Sequence, residues 1–401
     1  MFDAQKIKSQ FPIFDHYPDL IYLDSAATSQ KPETVIKAIS DFYTHENANI
    51  HRGVYNLSAS ATQKYEQVRE KLATTFNAQA KNFAYCSGTT EAINLVVNGY
   101  LKAQLKAGDE VLITAMEHHA NLIPWQQACH EANATLKVIP LNKNGEIEME
   151  VFEEMLTSKT KMLAMVHISN TLGTINPVKE MALKAHALGI PVLLDAAQSA
   201  GHLPIDLQEL AVDFAVFSGH KMYGPTGIGV LYCSNDFKDK LKASKFGGGS
   251  IKEVTYQTTS FMDFPHGLEA GTPHIAGVIG LGAALDFVNT LDLATSFKHE
   301  QALATQLREA LKEMGGVKIF GNPKKYAGIV SFELEEVHPH DVASFLSEAS
   351  IAVRAGHHCT QPLLASWEVP ATTRASFSIY NTEADVEKTI KTLKALKEFW
   401  E

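Results

Sequence analysis

Short apolar runs alternate with longer amphipathic segments through most of the chain. The runs that resemble strands cover residues 83–86, 110–115, 135–141, 162–169, 191–196, 214–217 and 229–233. The clearest helix-like segment, residues 58–76, has apolar side chains at spacings of three or four, which is the period of an α-helix. Strands that alternate with helices predict a mainly parallel, doubly wound α/β sheet that binds ligands at the carboxyl ends of its strands.

The pattern changes after about residue 287. A charged segment, roughly residues 294–314, predicts a helix. The later apolar runs that predict strands lie near residues 328–334, 351–354 and 374–380. We therefore expect a large domain over residues 21–287 and a smaller α+β domain over residues 288–401. Residues 1–20 are expected to pack on the smaller domain.

A last helix is predicted after Asn381. Thr382 and Asp385 have the spacing of a capping box, in which each side chain accepts a hydrogen bond from the other residue's backbone. The apolar positions that follow at helical spacing are Val386, Ile390, Leu393, Leu396 and Phe399. This stripe is expected to be buried against the smaller domain.

Composition and charge narrow the functional class. Of the 401 residues, 45% are hydrophobic and 20% are charged, which predicts a folded chain with a sizeable core. The net charge of -10 argues against nucleic acid or an anionic membrane as the main partner. The first residues lack the apolar stretch of a secretory signal, and the four cysteines form no CxxC pair. We therefore expect a soluble cytoplasmic protein with reduced thiols.

The stretch DFAVFSGHKMYGPTGIGVLY contains the first candidate for chemistry, Lys221. It follows a predicted buried strand, and desolvation there would lower the pKa of its amine and favour the neutral form that makes imines. Ser218 and His220, on the same turn, are short donors for a phosphate or a substrate. The plainer alternative is a solvated lysine in a loop whose glycines serve only the turn.

A second candidate pair, Asp195 and Gln198, ends the predicted buried strand in PVLLDAAQS. A buried aspartate is costly unless it is paired, and the cationic nitrogen of a pyridinium ring would pair with it. Gln198 could donate to a phenolic oxygen of the same cofactor. A helix-capping aspartate beside a surface glutamine is the competing interpretation.

Two further motifs follow predicted strands. Thr89 and Thr90, in CSGTTE, stand at a strand-to-helix turn, where backbone N–H groups and the helix dipole favour an anion such as a phosphate. His118, in EHHAN, could stack on an aromatic cofactor or carry protons. Alone, the threonines could merely cap a helix and the histidine could be structural. Because all four motifs follow strands, one doubly wound sheet would gather them at a single edge.

The chain as a whole resembles the class V aminotransferase family of fold-type I pyridoxal-phosphate (PLP) enzymes, and within it the SufS-type cysteine desulfurases. The motifs that carry the resemblance are YLDSAAT, EHHANLIPWQ, SGHKMYGPTGIGVLY, RAGHHCTQPL and RASFSIYNT. It implies that Lys221 forms the Schiff base with PLP, that His118 stacks on the ring and carries protons, and that Asp195 contacts the pyridine nitrogen. Gln198 is implied at the phenolic oxygen. The residues implied around the phosphate are Thr89, Thr90, Ser218 and His220.

The resemblance also implies a homodimer and a substrate site. Thr272, in the motif EAGTP, corresponds to a position that reaches the phosphate of the partner subunit. Asn170, Arg354 and Arg374 correspond to substrate-binding positions, with Arg374 binding the carboxylate of the amino acid, a role that suits a planar fork of donors.

Cys359 is the residue that would define the reaction. From its surroundings alone it is either a small buried residue or a nucleophile whose thiol pKa is lowered by Arg354 and nearby imidazoles. The resemblance implies the nucleophile, which takes sulfur from L-cysteine as a persulfide and leaves L-alanine. A SufE-like acceptor and an iron–sulfur scaffold are the implied destinations of that sulfur. No metal site is expected at the histidines beside Cys359, since consecutive side chains point in different directions.

Three alternative functions are compatible with the sequence. A selenocysteine lyase or another β-lyase of the same family would use the same cofactor residues. A true transaminase would leave Cys359 without a chemical task. An inactive homologue acting as a scaffold would be favoured by loss of Lys221, Asp195 or Arg374, and all three are present. Ser87 is a departure from the family pattern, since SufS-like members often carry arginine at this position. The departure bears on the subgroup, the accessory partner and the basal rate of the enzyme.

Overall fold

The computed structural model describes residues 2–400. Its strands are β1 (Ile21–Tyr22), β2 (Phe83–Cys86), β3 (Glu110–Thr114), β4 (Thr135–Ile139), β5 (Thr160–Val166), β6 (Val192–Asp195), β7 (Phe214–Ser218), β8 (Gly229–Cys233), β9 (Ile251–Val254), β10 (Thr259–Phe261), β11 (Val317–Phe320), β12 (Ile329–Leu334), β13 (Ile351–Ala352), β14 (Arg354–Gly356) and β15 (Thr372–Ser376). Its α-helices are α1 (Ala4–Lys8), α2 (Ile13–His16), α3 (Glu33–Asp41), α4 (Asn56–Thr75), α5 (Thr89–Gly99), α6 (Ile123–Ala132), α7 (Met149–Met155), α8 (Val178–His186), α9 (Leu207–Leu210), α10 (Ile275–Asn289), α11 (Leu293–Met314), α12 (Pro339–Glu348), α13 (Gln361–Ser366) and α14 (Glu383–Trp400).

A seven-stranded sheet forms the centre of the fold, in the order β2-β8-β7-β6-β5-β3-β4. Strand β8 is antiparallel to its neighbours β2 and β7, and the other pairs are parallel. The predicted mainly parallel, doubly wound α/β fold is therefore confirmed. The register places Asp195 beside Val166 on one side and Val216 on the other, so the carboxyl ends of β5, β6 and β7 meet at one edge.

Both faces of this sheet are covered, which explains why its strands are continuous apolar runs rather than alternating ones. Helix α4 covers one face and buries Ala61, Tyr65 and Leu72, three of the periodic residues that predicted it. Helices α5 and α6 cover the other face, where Ile93 and Trp125 join a second core cluster. With both faces dry, a polar group at a strand end is held by protein partners.

A four-stranded antiparallel sheet, in the order β11-β12-β15-β14, forms a second structural unit. Helices α11, α12 and α14 contribute Leu307, Leu346 and Leu393 to its core. Strand β1 pairs with β13, so the segment just after residue 20 contacts this unit. The division at residues 21–287 and 288–401, with residues 1–20 on the smaller domain, stays a prediction.

The last helix confirms one sequence prediction and corrects another. Thr382 N donates to Asp385 Oδ2 at 3.0 Å, and Asp385 N donates to Thr382 Oγ1 at 3.3 Å, which is the predicted capping box. Leu393 is fully buried, as are Val386 and Leu396. The expectation that Phe399 completes the buried stripe is wrong, since its side chain is 75% exposed in the final turn, beyond Leu393 and Leu396, which join the core of the smaller sheet.

In residues 2–400 no single helix has the length and apolarity needed to cross a membrane, and one sharply bent pair, Ile275–Asn289 with Leu293–Met314, meets those criteria only jointly.

The two ends of α14 predict different costs of truncation. Leu393→Ala should lower the free energy of unfolding by about 2–5 kcal/mol, because it leaves a cavity in a closed core. Phe399→Ala should change it by less than about 0.5 kcal/mol, because the ring is mostly in solvent. Denaturant unfolding of both variants at one protein concentration checks this, and equal losses would contradict the burial seen along α14.

Candidate active site

A cavity of about 770 Å3 opens at the carboxyl ends of the central strands. It brings together nearly all of the site residues that the sequence predicted. Those that line it are Thr89, Thr90, His118, Asn170, Asp195, Gln198, Ser218, His220, Lys221, Arg354, Cys359 and Arg374. Thr272 is the one predicted site residue that lies elsewhere.

Lys221 ends the short 3-10 turn Gly219–Lys221 that follows β7. Burial lowers the pKa of its amine to about 8, against the opposing attraction of the Asp195 carboxylate. In the described part of the chain, no carboxylate lies within ion-pair distance of this amine. A substantial neutral fraction near neutral pH makes the amine a competent nucleophile and base.

The backbone on the N-terminal side of Lys221 is held by a segment from the beginning of the chain. The carbonyl of His220 accepts hydrogen bonds from Ser29 N at 3.0 Å and from Lys31 Nζ at 2.9 Å. Ser29 Oγ also accepts from Tyr223 N at 2.8 Å, on the far side of the lysine. These contacts fix the turn, so the direction in which Lys221 enters the cavity is determined.

Asp195 occupies the carboxyl end of β6 and is almost completely buried. One of its oxygens accepts from Ala197 N at 2.9 Å, and burial raises the pKa of the carboxyl. No cation lies within ion-pair distance of it in residues 2–400. A buried carboxylate with one backbone donor has capacity left for a further N–H or cationic donor from a ligand in the cavity.

The start of α5 and the end of β7 form one polar corner of the cavity. Thr89 N donates to Ser218 Oγ at 2.9 Å, and the hydroxyls of the two residues are 2.8 Å apart. Gly229 permits this arrangement, because a Cβ there would lie 2.4 Å from Gly88 Cα. Thr89 N is thus already used by Ser218, but the N-cap, Gly88, has no side chain, so the next N–H groups, those of Thr90 and Glu91, remain available for an anion.

His118 and Gln198 line the same cavity. Burial, and then the positive charge of Lys221, lower the pKa of His118 to about 3, which keeps its ring neutral. Its Nδ1 accepts from Ala120 N at 3.0 Å, so the neutral ring carries its proton on Nε2. Gln198 Nε2 donates to the Ala26 carbonyl at 2.7 Å.

Arg354 and Arg374 share one carboxylate, that of Asp24. Arg354 binds it through two nitrogens, with Nη2 at 2.8 Å from Oδ2, and Arg374 Nη2 lies 3.2 Å from Oδ1. Arg374 is 2% exposed, and burial lowers its pKa to about 10. Its Nε is buried without a hydrogen-bond partner, so this guanidinium can still bind a carboxylate in the cavity.

The loop that carries Cys359 is fastened at both sides. Asn170 Nδ2 donates to the His358 carbonyl at 2.8 Å, and His119 N donates to the Cys359 carbonyl at 2.8 Å. His358 and Cys359 both have positive φ, at 51° and 57°, which costs conformational energy and is maintained by these anchors. The thiol of Cys359 is exposed at the cavity while its backbone is fixed.

Sequence reasoning missed Asp24 and Glu117. Asp24 belongs to YLDSAAT, and a lone charge between an apolar strand and small residues was the available signal. Glu117 is buried beside His118 and accepts from Thr114 Oγ1, Asn121 Nδ2 and Val166 N at 2.5, 2.6 and 2.9 Å. Its three donors join the ends of β3 and β5 and hold the His118 loop against the sheet.

Thr272 lies on a separate opening of about 510 Å3. That opening also contains His51, Arg52 and Glu269, and Glu269 is anchored by a buried ion pair with Arg69 at 2.6 Å. Within one chain, Thr272 therefore does not reach the cavity of Lys221. Its role at the phosphate of a partner subunit stays a prediction.

The residues present fit PLP. The uncapped start of α5 with Thr89 and Ser218 suits the phosphate, and the underpaired carboxylate of Asp195 suits the pyridine nitrogen. The Lys221 amine suits the aldehyde. The unpartnered Nε of Arg374 suits an amino-acid carboxylate. In the described residues, no group of three or more His, Cys, Asp or Glu side chains could hold a metal ion.

Comparison with known proteins agrees with this geometry. Residues 21–389 match the aminotransferase class-V family. A probable cysteine desulfurase of Halalkalibacterium halodurans is 49% identical over 402 residues, which cover 99% of both chains. The apo structure of a cysteine desulfurase from Thermococcus onnurineus NA1 superimposes with a TM-score of 0.95 at 36% identity, covering 100% of this chain and 99% of that one. CsdA from Escherichia coli, in an S-sulfonic acid form, gives 0.93 at 37% identity with the same coverage.

The shared carboxylate of Asp24 predicts a large stability effect. Asp24→Asn should lower the free energy of unfolding by about 3 kcal/mol, because it leaves Arg374 charged, buried and without its counterion. Asp41→Asn is the matched control, since Asp41 pairs with Lys37 on an exposed helix face, and this variant should unfold at nearly the same denaturant concentration as the wild type. Denaturant unfolding at fixed protein and cofactor concentration checks this, and indistinguishable variants would contradict it.

Proposed function

The chain belongs to the class V aminotransferase family, and we propose that it is a cysteine desulfurase that takes sulfur from L-cysteine and leaves L-alanine. It is a PLP-dependent enzyme. The observation that carries the proposal is the convergence of four groups on one cavity: the Lys221 amine, the Asp195 carboxylate, the Arg374 guanidinium and the Cys359 thiol. The first two suit PLP chemistry in general, and the last two select an amino acid and a sulfur acceptor.

We assign the cofactor contacts as follows. Lys221 holds the aldehyde carbon, Asp195 the pyridine nitrogen, Gln198 the phenolic oxygen, and His118 stacks on the ring. The residues assigned to the phosphate are Thr89, Thr90, Ser218 and His220. Bound PLP supplies an electron sink for the electrons left at Cα when an amino acid loses its proton there.

The substrate is oriented by its carboxylate. Arg374 offers the unpartnered Nε and a planar fork of donors, while Arg354 stands at the exposed side of the same cavity. The unpaired buried amide oxygen of Asn170 is available for a donor on the substrate. This arrangement fixes Cα of L-cysteine relative to Lys221 and its sulfur relative to Cys359.

Lys221 and Cys359 have separate chemical tasks: Lys221 transfers a proton, and Cys359 accepts a sulfur atom. When the amino group of L-cysteine takes the place of Lys221 on the cofactor, the Lys221 amine is free. In its neutral form it can remove the proton at Cα, and burial supplies the pKa of about 8 that this task requires. The sulfur of Cys359 then attacks the substrate sulfur, so that an S–S bond forms while the Cβ–S bond breaks. Cβ takes up a proton, for which His118 is the candidate carrier, and Cα regains the proton that Lys221 removed. L-cysteine plus the enzyme thiol thus become L-alanine plus a persulfide.

The fate of that persulfide involves proteins beyond this chain. We propose that a SufE-like acceptor collects the sulfur from Cys359 and passes it to an iron–sulfur scaffold, since Cys359 is exposed at the mouth of the cavity. We also propose a homodimer in which Thr272 completes the phosphate site of the partner. Reduced, unpaired cysteines at positions 86, 129, 233 and 359 favour the cytoplasm as the compartment.

The proposed nucleophile predicts a site-specific product. After incubation of the holoenzyme with L-cysteine, peptide mass spectrometry should find one added sulfur on the peptide containing Cys359. Cys359→Ser should abolish that product and sulfur transfer, whereas Cys129→Ala, which changes a buried thiol on α6 away from the cavity, should retain both. Sulfur on another cysteine, or full desulfurase activity in Cys359→Ser, would exclude the proposed role.

The lowered pKa of Lys221 predicts the pH dependence of cofactor uptake. The neutral amine reacts with the aldehyde of PLP, so the rate constant for uptake by cofactor-free protein should rise with pH and level off above about pH 8. A lysine model amide, with its pKa at about 10.4, should keep accelerating to higher pH. Stopped-flow absorbance checks both, with Lys221→Ala as the variant that shows no uptake band. A protein profile that followed the model amide would show that Lys221 is not desolvated.

A further inference from the structure

We infer that His202 and Glu300 are positioning residues for Lys221, joined as a buried ion pair that ties the lysine turn to helix α11. Neither residue lines the cavity that contains the reactive groups. His202 lies in the loop after β6, and Glu300 lies on α11, about 100 residues away in the sequence. The inference rests on the proposed function. It concerns two residues that lie outside the cavity and position the turn that carries Lys221.

The two side chains are within hydrogen-bond distance and largely buried. His202 Nδ1 is 3.1 Å from both oxygens of Glu300, and the side chains are 11% and 3% exposed. The backbone of Lys221 lies close enough to the ring of His202 to influence its titration. Burial by itself lowers the pKa of His202, but Glu300 and this backbone contact raise it above its ordinary value. An imidazole whose Nδ1 faces both oxygens of a buried carboxylate is favoured in its charged form.

Several further contacts make the pair part of the lysine turn. The ring of His202 lies 5.9 Å from that of Tyr223, which is buried and has a positive φ of 65°. His202 N donates to the Ser199 carbonyl at 3.0 Å, within the loop that also carries Gln198. The pair therefore clamps the C-terminal side of Lys221, as Ser29 and Lys31 clamp the carbonyl before it.

The partner of His202 belongs to the smaller sheet's side of the molecule. Glu300 is 2% exposed, and its Cβ lies against Gly328, where a Cβ on that glycine would be 3.1 Å away. Helix α11 packs through Leu303 and Leu307 on the core of the four-stranded sheet. The ion pair is thus a direct polar link between that unit, which carries Arg374 and Cys359, and the turn that carries Lys221.

This link predicts the behaviour of three variants. Glu300→Gln and His202→Gln each leave one partner of a buried pair without its counter-charge, so the lysine turn should loosen. Hydrogen exchange of the backbone amides of residues 219–224 should accelerate by about tenfold or more. The kcat for L-cysteine should fall by about 10- to 100-fold through misplacement of Lys221, with KM unchanged within about twofold. The double variant should lose no more than either single variant, because it leaves no unpaired charge and restores an amide–amide contact.

His186→Gln is the matched control. His186 pairs with Asp213 at 2.8 Å, and Asp213 immediately precedes β7, whose other end leads into Lys221. This variant removes a His–carboxylate pair at the start of β7 and leaves the turn at its other end unchanged. Hydrogen exchange at residues 219–224 and kcat should therefore both remain as in the wild type.

The experiment measures exchange by mass spectrometry and steady-state kinetics on the holoenzymes. The inference is overturned if Glu300→Gln and His202→Gln match His186→Gln in both measurements, or if the losses of the double variant multiply as those of independent sites do. Absence of desulfurase activity in the wild type would refute the proposed function instead, and exchange at residues 219–224 would still decide whether the pair holds the turn.

Discussion

Burial of the Lys221 amine without a direct counterion is the constraint on which the rest of the site depends. A lysine in water is almost fully protonated at neutral pH, and only desolvation at the carboxyl edge of the sheet brings its pKa to about 8. The same burial requires that every neighbouring charge be partnered or poised for a ligand. Asp195 has spare capacity for a cationic ring nitrogen, and Arg374 has a spare N–H for a carboxylate.

A reactive amine of this kind works only if its backbone is rigid. The turn at Lys221 is held by the Ser29–Lys31 segment on one side, and on the other side the ring of His202 packs against that of Tyr223. Contacts with other segments therefore fix the backbone of the turn. Asp24 plays the corresponding part for the arginines, since one carboxylate orients both Arg354 and Arg374. The N-terminal segment and α11 thus complete a site whose reactive atoms belong to other elements.

The fold and most of the cavity were predictable because they depend on local patterns. Strands such as β2 and β8 are continuous apolar runs bounded by polar or glycine residues, and their predicted bounds match the structure. Strand ends then bring Asp195 and Lys221 to one edge by the geometry of a parallel sheet. Asp24 and the His202–Glu300 pair were not predictable in this way, because each pairs residues far apart in sequence. The prediction for Phe399 was wrong for a related reason, since periodicity along one helix does not reveal where the core that buries it ends.

We propose that Lys221, and no other lysine, holds PLP. Lys31 provides a stringent comparison, because burial also lowers its pKa to about 8 while its amine is occupied by the carbonyls of Ser29 and His220. Reduction of the holoprotein with borohydride, followed by peptide mass spectrometry, fixes the pyridoxyl group to the lysine that carries it. We expect the label on Lys221 alone, and a label on Lys31 or on no lysine would rule out this assignment.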